Sequence, residues 1–211
     1  MEHPASATTP DRLLYQPRYD CHSGELAGVK LYIERAVRSD SIVITAVTDA
    51  CLKTLREACG QASAWSRKHS RRIVLTLGAR LEALCDKDFA HTLSTVLLET
   101  QLEPGCLELN IITGQGEVSD ETTAALMHLK SCGIRFGISA ASPANARLAW
   151  IKRLPVDALE VPAGLVQDVA ADPEGVAVIR ALVTRAHKMG FIVSAKGIDK
   201  THTAAVLVAN G

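Results

Sequence analysis

Aromatic residues make up only 4% of this 211-residue chain, and neither sign of charge prevails, with Lys+Arg 23 against Asp+Glu 23. Without aromatic bulk the core has to be assembled from Leu, Val, Ile and Ala, the usual filling of buried strands and helices in α/β domains. A formal net charge of zero excludes whole-surface attraction for nucleic acid or anionic membrane. The single basic run, Arg67-Lys68-His69-Ser70-Arg71-Arg72, can meet a phosphate or an acidic partner, but it first suggests a solvated loop. It has no interleaved aromatics of the kind that stack single-stranded bases. Nowhere do about 18 consecutive apolar residues occur to span a bilayer, and the opening MEHPASATTPDR has no apolar stretch suited to a signal peptide. With 47% hydrophobic residues, these absences imply one compact cytoplasmic domain, residues 13–211, behind a disordered segment, residues 1–12.

The motifs of common chemistries are missing too. The six cysteines (Cys21, Cys51, Cys59, Cys85, Cys106 and Cys132) include no CxxC pair and no histidines at finger spacing, so they are expected to be reduced, mostly buried small hydrophobes. Gly114-Gln115-Gly116 lacks the Lys and Ser/Thr of a phosphate loop and the third Gly of a dinucleotide fingerprint, which makes it a plain turn. There is no GxSxG elbow. His3, His22 and His202 are expected to face solvent, and His187 to sit near a helix C-terminus; no metal cluster or cofactor is indicated.

What is present is alternation. Leu13 to Tyr19 and Leu26 to Ile33, separated by Asp20-Cys21-His22-Ser23-Gly24, suit an antiparallel hairpin. From Asp40 or Ser41, either a plausible N-cap, apolar residues at helical spacing run through Lys68 and include Val47, Cys51, Leu55, Ala58, Ala62 and Trp65. Strands are expected at 73–77, 107–112, 135–138, 158–161 and 191–195. Helices are expected in 81–97, from a cap at Ser119 to Leu129, in 144–153 and in 173–189, with Gly133 and Gly190 as stops. This βα order fits a (β/α) barrel or an open doubly wound sheet, and periodicity does not choose between them. Asn210-Gly211 follows a helical stretch, so a barrel would be left without its last strand.

Four segments carry a resemblance: Tyr15-Gln16-Pro17, Gly28-Val29-Lys30-Leu31-Tyr32, Lys152-Arg153-Leu154-Pro155-Val156-Asp157 and Ala195-Lys196-Gly197-Ile198-Asp199. In order and spacing the chain resembles the EAL-domain family of bacterial cyclic-di-GMP phosphodiesterases from about Leu13 to its end. The resemblance implies a modified TIM-like barrel whose first strand is antiparallel to the rest. It also implies a site at the strand C-termini where acidic and amide side chains hold two divalent cations that activate water.

On the matching positions those side chains have changed. Lys30 stands for the signature Glu, Thr76 for an Asn, Asn110 for a Glu, and Ser139 and Ala140 for paired Asp residues. Glu160 replaces a Lys, Pro162 an Asp and Lys196 a Glu, while Glu34 replaces an Arg that contacts ligand phosphate. Only Gln16 keeps its ligand-contact identity. The segment between Lys30 and Ala58-Cys59-Gly60-Gln61 is short, and the loop from Ser139 to Leu148 has lost its glycines and acids, which puts dimer regulation in question. The expectation is a non-catalytic domain without metal, cofactor or catalytic residues, regulating through a protein partner or neighbouring signalling domain. Gln16, Lys30, Glu34, Asn110, Glu160 and Lys196 would line its ligand or partner groove. The alternative is a cyclic-di-GMP sensor that does not hydrolyse its ligand, disfavoured because Glu34 sets a carboxylate where an anion belongs. Because an unpaired charge in a partly buried site is costly, Glu160 and Lys196 are expected to pair across the barrel mouth, and Lys30 to neutralise Glu34 or Glu160.

Overall fold

A computed structural model of the chain describes residues 12–34, 39–112, 118–139, 154–167 and 169–211. The opening hairpin is β1 (Arg12–Tyr19) and β2 (Leu26–Glu34), antiparallel and turned at Asp20, whose Oδ1 accepts hydrogen bonds from the His22 and Ser23 amides. Two short strands follow, β3 (Ser39–Ser41) against β2 and β4 (Val43–Ile44) against the later β5. The strands β5 (Val74–Arg80), β6 (Leu107–Ile112), β7 (Arg135–Ser139), β8 (Ala158–Val161) and β9 (Ile192–Ala195) then add in parallel. The path across the sheet is β1-β2-β5-β6-β7-β8-β9, and the parallel part begins at β2 against β5. The fold is an α/β TIM-like half-barrel, an open, curled sheet with an antiparallel first strand pair.

Among the described residues the α-helices are α1 (Asp49–His69), α2 (Leu81–Leu84), α3 (Phe89–Thr100), α4 (Asp120–Ser131), α5 (Ala163–Val166), α6 (Pro173–Lys188) and α7 (Thr201–Ala209). Ser119 caps α4 as its spacing predicts, its hydroxyl accepting from the Thr122 amide. Gly133 and Gly190, at φ of 92° and 79°, take the left-handed stop positions that a side chain would resist.

One boundary departs from the sequence expectation. Neither Asp40 nor Ser41 starts the first helix: that stretch pairs with β2, with Ser41 opposite Tyr32, and the helix begins at Asp49. Thr48 is the cap, its Oγ1 accepting from the Cys51 amide at 3.2 Å. Sheet pairing of 39–41 with an existing edge outcompetes extension of the helix, a tertiary contact invisible to local periodicity. Similarly, the helical stretch expected in 81–97 is two helices, with a break at 85–88. The expected helix in 144–153, the Gly114-Gln115-Gly116 turn and Ala140 lie outside the described residues. The cysteines are all unpaired, but only Cys59 and Cys106 are buried. Cys51, Cys85 and Cys132 are half-buried and Cys21 is exposed, so the expectation of mostly buried thiols was too strong.

Strand alternation sorts the side chains into two layers. Val29 and Leu31 of β2, together with Leu75, Leu77, Leu107, Leu109 and Phe136, pack outward against Leu55, Leu93, Val96 and Leu126 of the helices. The intervening positions line the concave side, and here they are polar or small: Lys30, Thr76, Gly78, Glu108, Asn110, Gly137 and Glu160.

Candidate functional site

The concave face gathers its charges through register. Gln16 lies opposite Lys30, Lys30 opposite Thr76, Thr76 opposite Glu108 and Glu108 opposite Arg135, in one row across five strands. Toward the strand C-termini, Ser139 lies opposite Glu160 and Glu160 opposite Ser194, with Lys196 just beyond the end of β9. Parallel strands with period-two alternation are what bring residues so far apart in sequence to one surface.

Two ionic clusters occupy that surface. In the first, the Lys30 ammonium donates to Glu160 Oε2 at 2.5 Å and the Lys196 ammonium lies 3.0 Å from Glu160 Oε1. Lys30 and Glu160 are each only 6% exposed. In the second, Arg18 donates to Glu108 Oε1 at 2.9 Å and to Thr76 Oγ1 at 2.5 Å, while Arg135 reaches Glu108 Oε2 at 3.8 Å. Each carboxylate therefore faces two cations.

These clusters are chords across the curl. In a flat sheet β2 and β8, four strand spacings apart, would be separated by roughly 19 Å. A 2.5 Å contact between Lys30 and Glu160 exists only because the sheet bends back on itself. Arg18 on β1 and Glu108 on β6 make the same kind of link over three spacings.

Electrostatics follow from burial and count. Burial pulls the Lys30 ammonium below the usual lysine range; attraction to Glu160 opposes this, and the like charges of Lys196 and Arg18 add to it. Burial alone would push the Glu160 carboxyl up, but Lys30 and Lys196 together override it and hold Glu160 below its ordinary value. Both Glu160 oxygens are engaged by ammonium groups, so a divalent cation there would have to compete with two positive charges already in place. Glu108 is similarly enclosed. Among the described residues no three His, Cys, Asp or Glu side chains gather as a metal would require. The described residues do not fit a pair of divalent cations.

The sequence-predicted residues divide accordingly. Lys30, Glu160 and Lys196 come together, and the predicted Glu160–Lys196 pair is a direct contact. Lys30 chooses Glu160 over Glu34. Asn110, 8% exposed, lies across Gly137, where a Cβ would stand only 1.9 Å from Asn110 Oδ1. Gln16 shares the face of Lys30 but is exposed. Glu34 is exposed at the far end of β2, 3.8 Å from Arg12, apart from the cluster.

Sequence reasoning overlooked Arg18, Glu108 and Arg135. A signal was available: Gln16 and Arg18 in β1, and Glu108 and Asn110 in β6, are polar at i and i+2, which marks a polar face on a strand whose other face is apolar. Asp157, in the most distinctive sequence segment, is a structural clamp. Its Oδ2 accepts from the Phe136 amide at 2.8 Å, its Oδ1 takes a hydrogen bond from Lys130, and its backbone links both neighbouring strands.

A curled parallel sheet with an antiparallel first pair and a polar concave face defines the EAL-type half-barrel. The chain belongs to the EAL domain family, whose profile matches residues 9–211. The EAL domain of Mycobacterium smegmatis DcpA shares the fold at a TM-score of 0.78 and 25% identity, over 94% of this chain and 84% of that one. The PaMucR phosphodiesterase in its c-di-GMP complex has a TM-score of 0.76 at 21% identity, over 94% of this chain and 86% of that one, a likeness in fold. Among curated relatives, an uncharacterized protein of Mycobacterium tuberculosis is 27% identical over 164 residues, 74% of this chain and 53% of its own length. A cyclic di-GMP phosphodiesterase of Pseudomonas aeruginosa, PA2567, is 23% identical over 214 residues, 94% of this chain and 36% of its own length. The chain thus spans about half or less of the length of these curated relatives. No helix among the described residues is long and apolar enough to cross a membrane.

Proposed function

We propose that this EAL domain does not hydrolyse a phosphodiester and acts as a regulatory protein-interaction module in bacterial signalling. The observation that carries the reading is the Lys30–Glu160–Lys196 cluster, which puts two ammonium groups around the Glu160 carboxylate at the mouth. Like-charge repulsion opposes a divalent cation there, and the carboxylate that could offset it is already consumed. Two relatives bear the name of cyclic di-GMP phosphodiesterases, which makes that dinucleotide the substrate to try. Six unpaired cysteines suit a reducing compartment, in keeping with a cytoplasmic role.

The test is to incubate the purified protein with cyclic-di-GMP and Mg²⁺ or Mn²⁺ and to separate the nucleotides by chromatography. Unchanged cyclic dinucleotide is the expected result; accumulation of the linear product overturns the non-catalytic reading. A second reading, a sensor that binds the dinucleotide intact, is favoured by Gln16 lying beside Lys30 on a face where cations outnumber carboxylates. Metal-free calorimetry separates the two: heat at micromolar nucleotide supports the sensor, and its absence supports the interaction module.

A further inference from the structure

The basic run that composition left as a solvated loop forms one wall of a cleft of about 310 Å³. The cleft lies where α1 and α3 end, at the N-terminal ends of β5 and β6 and so at the opposite end of the barrel from the Lys30 cluster. Arg67, Arg71 and Arg72 line it together with Ser70, Gln101 and Glu103. We propose that this cleft is the docking site for an acidic peptide segment of a protein partner, an inference that rests on the interaction-module reading above.

Charge complementarity selects the occupant. Arg71 is held by the Glu25 carboxylate at 2.6 Å and Arg72 by Glu103 at 3.4 Å, both through exposed side chains, while among the described residues Arg67 closes on the neutral Gln101 amide oxygen alone, at 2.8 Å. The chain's own carboxylates thus show what this surface holds, and they hold it through solvent-exposed pairs that a competing carboxylate exchanges with readily. Arg67 offers a guanidinium fork with no carboxylate on it, the preferred geometry for a bidentate side-chain or C-terminal carboxylate. Arg67, Lys68, Arg71 and Arg72 set four cations against the two carboxylates Glu25 and Glu103, and the two charges left over exceed the roughly half-unit negative ends of the two helices.

The cleft wall forms where α1 and α3 end in left-handed C-caps. Ser70 and Gln101 are the two non-glycine residues of positive φ among those described, at 49° and 56°, and each turns the chain sharply at the cleft wall. Gly105 lets Arg72 lie against the backbone, since a Cβ there would be 2.7 Å from its guanidinium nitrogen.

Fluorescence anisotropy with a labelled oligoglutamate peptide at low salt tests the proposal on the intact chain. Oligoglutamine serves as the uncharged comparison. Binding is expected to weaken about tenfold in Arg67→Glu and further in Arg67→Glu/Arg72→Glu. Lys53→Glu, the same charge change at an exposed position elsewhere on α1, should leave it unchanged. Circular dichroism of each variant confirms that it is folded. Three outcomes overturn the proposal: no oligoglutamate binding, equal weakening by Lys53→Glu, or tighter binding of inorganic pyrophosphate or of anionic vesicles than of the peptide. Hydrolysis of cyclic-di-GMP would remove the interaction-module reading without affecting this assay, whereas loss of peptide binding alone would leave that reading in place.

Discussion

At the scale of single residues, Glu160 controls the mouth. Replacing it by Gln leaves Lys30 buried without its counter-charge, and removing one partner of a buried pair costs about 3–5 kcal/mol. Lys30→Met strands Glu160 less severely, because Lys196 remains 3.0 Å away. The double variant Lys30→Met/Glu160→Leu should recover much of the loss, since Lys196, with 39% of its side chain exposed, can turn to solvent. Chemical denaturation of the unsubstituted protein, Lys30→Met, Glu160→Leu and the double variant gives the coupling directly. The pH dependence has a definite sign. Glu160 titrates below its ordinary value when folded, so in the acid limb the unfolded chain binds more protons and stability rises with pH. That contribution is complete above the ordinary carboxylate range and is lost as pH falls through the folded value. Lys30, also held low, adds a second rise on approach to the ordinary lysine range, where the unfolded chain again binds more protons. Denaturation midpoints across pH should show both limbs, with the acid limb flattened in Glu160→Gln; an unchanged acid limb in that variant refutes the assignment.

At the scale of elements, close strand approaches and caps set the costs. Gly28 sits on β2 where a Cβ would fall 2.4 Å from the backbone oxygen of Val74, an atom that cannot move without breaking the β2–β5 ladder. Gly137 faces the movable amide of Asn110 instead. Gly28→Ala should therefore destabilise more than Gly137→Ala, whose overpacking falls in the range of about 1–3 kcal/mol. Thr48→Ala should cost about 1 kcal/mol as the loss of an N-cap, consistent with α1 beginning at Asp49. Thermal melts of the three variants check the ranking. The same scale shows why boundaries were only partly legible. β6, β8 and the cap of α4 stand where their residue patterns put them, because alternation and capping are local. The start of α1 did not, because the pairing of 39–41 with β2 depends on an edge that exists only after the hairpin has formed.

At the scale of the whole molecule, an open sheet held in a curl by ionic chords has unequal stability along its width. The central strands β5, β6 and β7 are paired on both sides and covered by one large apolar cluster, whereas β9 ends the sheet with Ile192 55% exposed. Amide hydrogen exchange followed by mass spectrometry should find slowest exchange in β5–β7 and fastest in β9. In a variant lacking the Lys30 chord, protection should fall first in β8 and β9; uniform loss across the sheet would mean that the chord does not hold the curl.

By itself the sequence determined the βα order, the antiparallel entry and the family, because these are properties of residue identity and local period. Only the tertiary structure decided who pairs with whom. Lys30 meets Glu160 rather than Glu34, Glu108 gathers two arginines, and Asp157 clamps strands, since contacts across a curled sheet depend on register and curvature summed over strands that no local pattern encodes.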